Sequence, residues 1–184
     1  MNYRLLQTLN GLAGHHWLLD KLMVFSATYL IYVVVAGVAV VALPVLRRRD
    51  WPSLLAVAVS ISLAFLLGVL ASSLFFEPRP FTTHPDILLL TPHAAGKSFP
   101  SDHATAAFAF AFASLAFLSR RWGLVALVAA VLIGFARVYA GIHYPGDIAG
   151  SALVSALAVL VVWVVRQRIP LRTWIRESSG SRSF

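Results

Sequence analysis

The sequence predicts an all-α fold, a polytopic bundle of five transmembrane helices preceded by an interfacial amphipathic helix. Three observations lead there. Of 184 residues, 59% are hydrophobic and only 12% charged, against roughly 45–50% and about 25% in soluble domains. Two uncharged runs, Leu22–Leu46 and Trp51–Phe76, exceed the roughly 20 residues that cross a hydrocarbon core. The charges that remain are gathered between apolar runs, mostly as arginines.

Residues 1–21 form the first element. Leu5, Leu6, Leu9, Leu12 and Ala13 recur at helical spacing among Arg4, Gln7, Asn10 and His15, which suits a helix lying in the membrane interface. A cleaved signal peptide fits poorly, because the basic residue is followed by a mixed stretch and no small-residue cleavage site. The spans are then expected at about 22–46, 52–76, 104–119, 122–137 and 147–165. The third and fourth are short and separated by Arg120-Arg121-Trp122. They cross only if polar residues enter the boundary, where such residues usually serve function. The domain is expected over residues 1–165, with a basic cytoplasmic tail over 166–184.

A net charge of +8 would suggest nucleic acid in a soluble chain. With five spans, however, Arg47, Arg48, Arg49, Arg120, Arg121, Arg166, Arg168, Arg172, Arg176 and Arg182 share one side with Asp50 and Glu177. The other side balances Arg4, Lys21, Arg79, Lys97 and Arg137 against five acids. Basic loops remain in the cytoplasm, so the excess reports orientation, and no nucleic-acid partner is expected. The chain has no cysteine, which excludes disulfides, thiolate metal sites and cysteine nucleophiles.

Three polar segments fall on the outward side. In Phe76-Glu77-Pro78-Arg79-Pro80-Phe81 two prolines end the second span and leave an arginine at the surface; snorkelling alone also explains Arg79. In Ser98-Phe99-Pro100-Ser101-Asp102-His103, Ser101 and Asp102 suit a helix cap, and the helix start offers free N–H groups to phosphate. In the third segment, Arg137 to Asp147, His143 and Asp147 stand four apart. On a helix they share a face, so the carboxylate can hold one ring nitrogen and leave the other free to attack or accept a proton. Two histidines, an aspartate and two arginines meet the needs of phosphoryl transfer: charge stabilisation, an in-line nucleophile and an acid. That set requires no metal or cofactor.

The three segments resemble the signature motifs of the type 2 phosphatidic acid phosphatase superfamily, which also includes vanadium haloperoxidases. Arg137, His143 and Asp147 match its third motif. Pro100, Ser101 and His103 match its second, with Asp102 in place of glycine. Arg79 and Pro80 match part of its first, whose lysine position is Ser72; Lys97 is a candidate substitute. The combination is similar to the bacitracin-resistance type of bacterial undecaprenyl-diphosphate phosphatase.

The resemblance implies a lipid diphosphate substrate and a site on the extracytoplasmic face. His143 would form a phosphohistidine, Asp147 would orient it, and His103 would act as acid and then base. Arg79, Arg137, Ser101 and Lys97, with backbone N–H groups near Ser101 and Asp102, would hold the phosphoryl group, and Glu77 would orient Arg79 or sense the diphosphate's protonation. Carrier recycling and bacitracin tolerance would follow. The same chemistry serves phosphatidic acid or phosphatidylglycerol phosphate, and an anion-binding transporter or channel is an alternative from another class. A metal site at His84, His93, His103 and His143 is a further alternative, although no His-Glu-x-x-His spacing supports it.

Overall fold

A computed structural model describes residues 2–168 of the chain. The rest of the expected tail, with Arg172, Arg176, Arg182 and Glu177, lies outside the described residues. Among the described residues eight helices occur in chain order: α1 (Asn2–Asn10), α2 (Trp17–Thr28), α3 (Leu30–Arg47), α4 (Trp51–Leu74), α5 (Pro80–Thr83), α6 (Asp102–Phe117), α7 (Arg120–Tyr139) and α8 (Pro145–Arg168). Among the described residues α3, α4, α7 and α8 are long and apolar enough to cross a membrane. Helix α6 is the shorter fifth member.

Local sequence sets most boundaries. Asp50 caps α4, accepting from the Ser53 N–H at 3.3 Å and its hydroxyl at 2.7 Å, as N-cap carboxylates do. Ser101 caps α6 by accepting from the Ala104 N–H at 3.5 Å. Pro145 opens α8 at the position where a missing N–H costs nothing.

Helix α6 occupies the centre of the bundle, packed on α3, α4, α7 and α8. Its Ala104, Ala107, Ala109, Ala111 and Ala113 are fully buried, and such small residues let backbones approach closely in lipid. The approach to α7 is close enough that a Cβ on Gly123 would stand 2.5 Å from the Leu115 nitrogen. Two α8 hydroxyls reach across to α6: Ser155 donates to the Thr105 carbonyl at 3.0 Å, and Ser151 shares its proton between the Ser101 carbonyl at 3.0 Å and the Asp147 carbonyl of its own helix at 2.7 Å. Large apolar side chains such as Leu55, Leu66, Val128 and Leu153 are exposed around the bundle, as lipid-facing positions require.

The amino-terminal part departs from expectation in two ways. The single span expected over 22–46 is two helices parted at Tyr29, with α2 beginning at Trp17. No proline or glycine announces the break; the carbonyl of Ala27, just before it, accepts a side-chain hydrogen bond from α7. The segment 1–21 is not one helix either. Helix α1 ends at Asn10, whose buried amide donates to the Leu88 and Tyr139 carbonyls and accepts from the Leu88 N–H, all at 2.8 Å. Leu6 is fully buried beside Ile87, Val138 and Tyr144, so α1 spends its apolar face partly on protein, while Leu5 and Leu12 stay exposed.

Candidate active site

The end of the bundle formed by the start of α6, the end of α7 and the start of α8 gathers the polar residues. Gly141 turns the chain between α7 and α8 with φ of 76°, a left-handed conformation that favours glycine. A Cβ there would stand 2.6 Å from the Leu88 carbonyl oxygen. The turn therefore admits the 84–98 loop over the site, where the Leu90 N–H donates to the Ala140 carbonyl at 3.3 Å.

His143 and Asp147 meet as expected, but not on a shared helical face. His143 precedes α8, and Asp147, three residues into its first turn, reaches back. Its Oδ2 accepts from the Tyr144 N–H at 2.8 Å, one half of a capping box, and lies 3.3 Å from His143 Nδ1. Both side chains are buried. With Nδ1–H directed at the carboxylate, Nε2 keeps its lone pair, a tautomer assigned from the partners. Burial is the main force pulling the His143 pKa down to about 4; the Asp147 hydrogen bond opposes it and Arg137 adds to it. The imidazole is therefore neutral at pH 7 and able to act as a nucleophile.

Arg137, nearly fully buried near the end of α7, points Nη2 at His143 Nε2 from 3.2 Å and holds Nη1 on the Ala27 carbonyl at 3.2 Å. The same Nη2 lies 3.5 Å from His93 Nε2. Arg79 precedes α5, and its Nε and Nη1 are buried without a hydrogen-bond partner. Two orphaned guanidinium donors are costly unless an anion arrives to use them. Burial lowers the Arg79 pKa, and the charges of Asp102 and Asp147 push it back up.

His103 stands in the first turn of α6, partly buried, where the charges of Arg137 and Arg79 both reach it. Ser101 is buried and acts as the cap, whereas Asp102 is exposed. Lys97 is exposed and bridged through its backbone to Pro78. Ser72, at the expected lysine position, is buried in α4. The Glu77 side chain makes no hydrogen bond to Arg79 among the described residues; burial and then the charge of Asp147 raise its pKa.

Two residues join the site without having been singled out for it. Ser98 is fully buried; its hydroxyl donates to Asp147 Oδ2 and lies 3.3 Å from His143 Nδ1. His93, which entered only as a metal-ligand alternative, faces Arg79, Arg137 and His103, and its pKa falls to about 4, chiefly through burial and then through those charges. Ser98 stood inside a quoted segment, but nothing in its spacing marked it. The four histidines of the metal alternative do not converge: His84 stacks on Tyr3 at 4.1 Å, and among the described residues no three His, Cys, Asp or Glu side chains group at metal-binding spacing.

Residues 53–170 match the PAP2 superfamily. The chain is a member of the PAP2 superfamily. Among PAP2 relatives, undecaprenyl-diphosphatase BcrC of Bacillus subtilis (strain 168) is 35% identical over 165 residues, covering 85% of this chain and 80% of its own. The undecaprenyl-diphosphatase of Sulfolobus acidocaldarius is 31% identical over 166 residues, covering 89% and 74%. The crystal structure of Aquifex aeolicus LpxE superimposes with a TM-score of 0.70 at 25% identity, over 88% of this chain and 93% of that one. The PAP2-type phosphatidylglycerolphosphate phosphatase of Bacillus subtilis, at 22% identity and a TM-score of 0.64, shares the fold. The protein is thus a multi-pass PAP2 membrane lipid phosphatase.

Proposed function

We propose that this enzyme hydrolyses undecaprenyl diphosphate to undecaprenyl phosphate and inorganic phosphate on the extracytoplasmic face, recycling the lipid carrier of cell-wall synthesis. The observation that carries the chemistry is the buried His143, with Nδ1 tied to Asp147 and Nε2 turned toward Arg137. The substrate assignment is supported by the relatives named undecaprenyl-diphosphatase. A site at the end of an apolar bundle also lets a headgroup enter while its chain remains in lipid.

In this reading the Nε2 lone pair attacks the terminal phosphorus, a P–N bond forms, and the bond to the bridging oxygen breaks. Arg79 and Arg137 hold the equatorial oxygens as charge spreads over them. Asp147 stabilises the imidazolium that develops. His103, protonated once the negative charge of the bound diphosphate offsets the two arginines, gives that proton to the departing lipid phosphate, then takes one from the water that cleaves the phosphohistidine. Inorganic phosphate leaves and both histidines return to their starting states. The extracytoplasmic placement is supported by Arg47–Arg49, Arg120, Arg121, Arg166 and Arg168, which stand at the helix ends opposite the site as cytoplasmic basic residues do.

The test is phosphate release by the purified protein on undecaprenyl diphosphate, phosphatidic acid and phosphatidylglycerol phosphate side by side. Preference for the first is expected. Preference for either glycerolipid overturns the substrate assignment and leaves the reaction class standing.

A further inference from the structure

An apolar groove of about 690 Å³ runs between α3 and α7, away from His143. Val34, Gly37, Val41 and Ala129 line its length, and Arg48 and Trp122 stand at its polar end. Gly37 is in mid-helix, where glycine is destabilising relative to alanine. Packing against protein does not explain it, because a Cβ there would meet nothing within 4 Å. Gly123 and Gly134, by contrast, would each clash with a neighbour. The bare backbone at Gly37 widens a channel that protein leaves empty.

The polar end is strongly basic. Arg47 ends α3, Arg48 and Arg49 follow it, and Arg121 lies over the Trp122 ring at 5.9 Å. Arg49 has φ of 55°, in a Schellman turn made by Arg49 N–H to Leu46 and Asp50 N–H to Val45. Glycine usually fills that position; an arginine there keeps its charge at a conformational cost. Asp50, the nearest acid in sequence, is engaged with Ser53. Among the described residues none of these four arginines has an ion-pair partner, since the one salt bridge is His143–Asp147.

We propose that the groove binds an anionic glycerophospholipid, with an acyl chain lying along Gly37 and the phosphate headgroup between Arg48 and Arg121. Charge complementarity selects this occupant. Basic pockets between membrane helices suit anionic headgroups, and a zwitterionic lipid would leave the arginines without a net counter-charge. A substrate chain descending from a phosphate at His143 would bring no anion to this end.

The experiment is native mass spectrometry of the full chain in detergent with equal phosphatidylglycerol and phosphatidylcholine of matched chains. Wild type is expected to retain phosphatidylglycerol in clear excess. R48Q/R121Q removes about 1 kcal/mol per arginine, so the excess should fall about thirtyfold while phosphatidylcholine retention is unchanged. Gly37→Leu fills the channel and should lose both lipids. Phosphate release by each variant reports that it is folded. Equal retention of the two lipids by wild type, or an undiminished excess in R48Q/R121Q, overturns the proposal. So does a Gly37→Leu protein that keeps phosphatidylglycerol but no longer retains added undecaprenyl phosphate, because the channel would then belong to the substrate chain. Should Gly37→Leu fail to fold, the arginine pair decides alone.

Discussion

Ser98 and Asp147, from different segments of the chain, are joined by a buried hydrogen bond in which the serine hydroxyl donates to Oδ2. The hydroxyl supplies the carboxylate with a donor besides the Tyr144 N–H and the His143 ring. Ser98→Ala leaves a buried carboxylate short of a partner. At about 2 kcal/mol for a hydrogen bond to a charged group, kcat is expected to fall roughly thirtyfold with little change in KM. A kcat within twofold of wild type would show that Ser98 does not position the Asp147–His143 pair.

His143→Ala and His103→Ala are expected to abolish turnover, by at least about 10³-fold, while the proteins still insert and fold. They should differ in one respect. Rapid quench with labelled substrate should trap an acid-labile phosphoprotein in His103→Ala and none in His143→Ala. Substantial turnover by His143→Ala would remove the proposed nucleophile.

Arg79 and Arg137 are expected to separate by how each is held. Arg137 is fixed by the Ala27 carbonyl, so Arg137→Lys loses both the fork and its anchor; a fall in kcat of about 10²-fold is expected. Arg79 has free donors, and Arg79→Lys keeps a mobile charge, so its main effect should be on KM. Steady-state kinetics on one lipid diphosphate distinguishes the two patterns, and identical effects would contradict the assignment.

Acid should destabilise the fold before the carboxylates titrate. His93 and His143 are held near 4, below the 6.5 of a free imidazole. Between those values the unfolded chain binds more protons, so stability is full above about pH 6.5 and is lost as pH falls toward 4. Glu77, raised by burial, opposes this weakly. Thermal unfolding in detergent at pH 7.5, 6 and 5 should show a falling Tm, with part of the fall removed in His93→Gln. A flat Tm over that range would argue against neutral burial of the two rings.

The glycines give a stability test. Gly123→Ala places a methyl against the Leu115 backbone and should cost about 1–3 kcal/mol, whereas Gly37→Ala meets open space and should be neutral or stabilising by up to about 1 kcal/mol. Tm values in the opposite order would refute this account of the packing.

The spanning helices were readable because lipid demands long uncharged runs, and the ends of those runs carried Arg137, His103 and Asp147. The break at Tyr29 was not, since it depends on Ala27 meeting Arg137 across the fold. His93 and Ser98 were equally hidden. The loop that carries them is routed by the Asn10 bonds to Leu88 and by the Ser98 N–H on the Glu77 carbonyl at 2.7 Å, contacts that have no local sequence pattern. The His143–Asp147 spacing suggested the right pair through the wrong geometry, because a turn followed by a capping carboxylate closes the same distance as one helical face.

Lipid offers two greasy cylinders no penalty for sliding past one another, so apolar packing alone leaves their vertical alignment weakly defined. The paired hydroxyls of Ser151 and Ser155, each on a carbonyl of the neighbouring helix, act as a vernier. A slip of one turn, about 5.4 Å, would break both together and carry Asp147 out of level with His103. The level at which Asp147 meets the start of α6 is thus gauged by two serines buried between the helices.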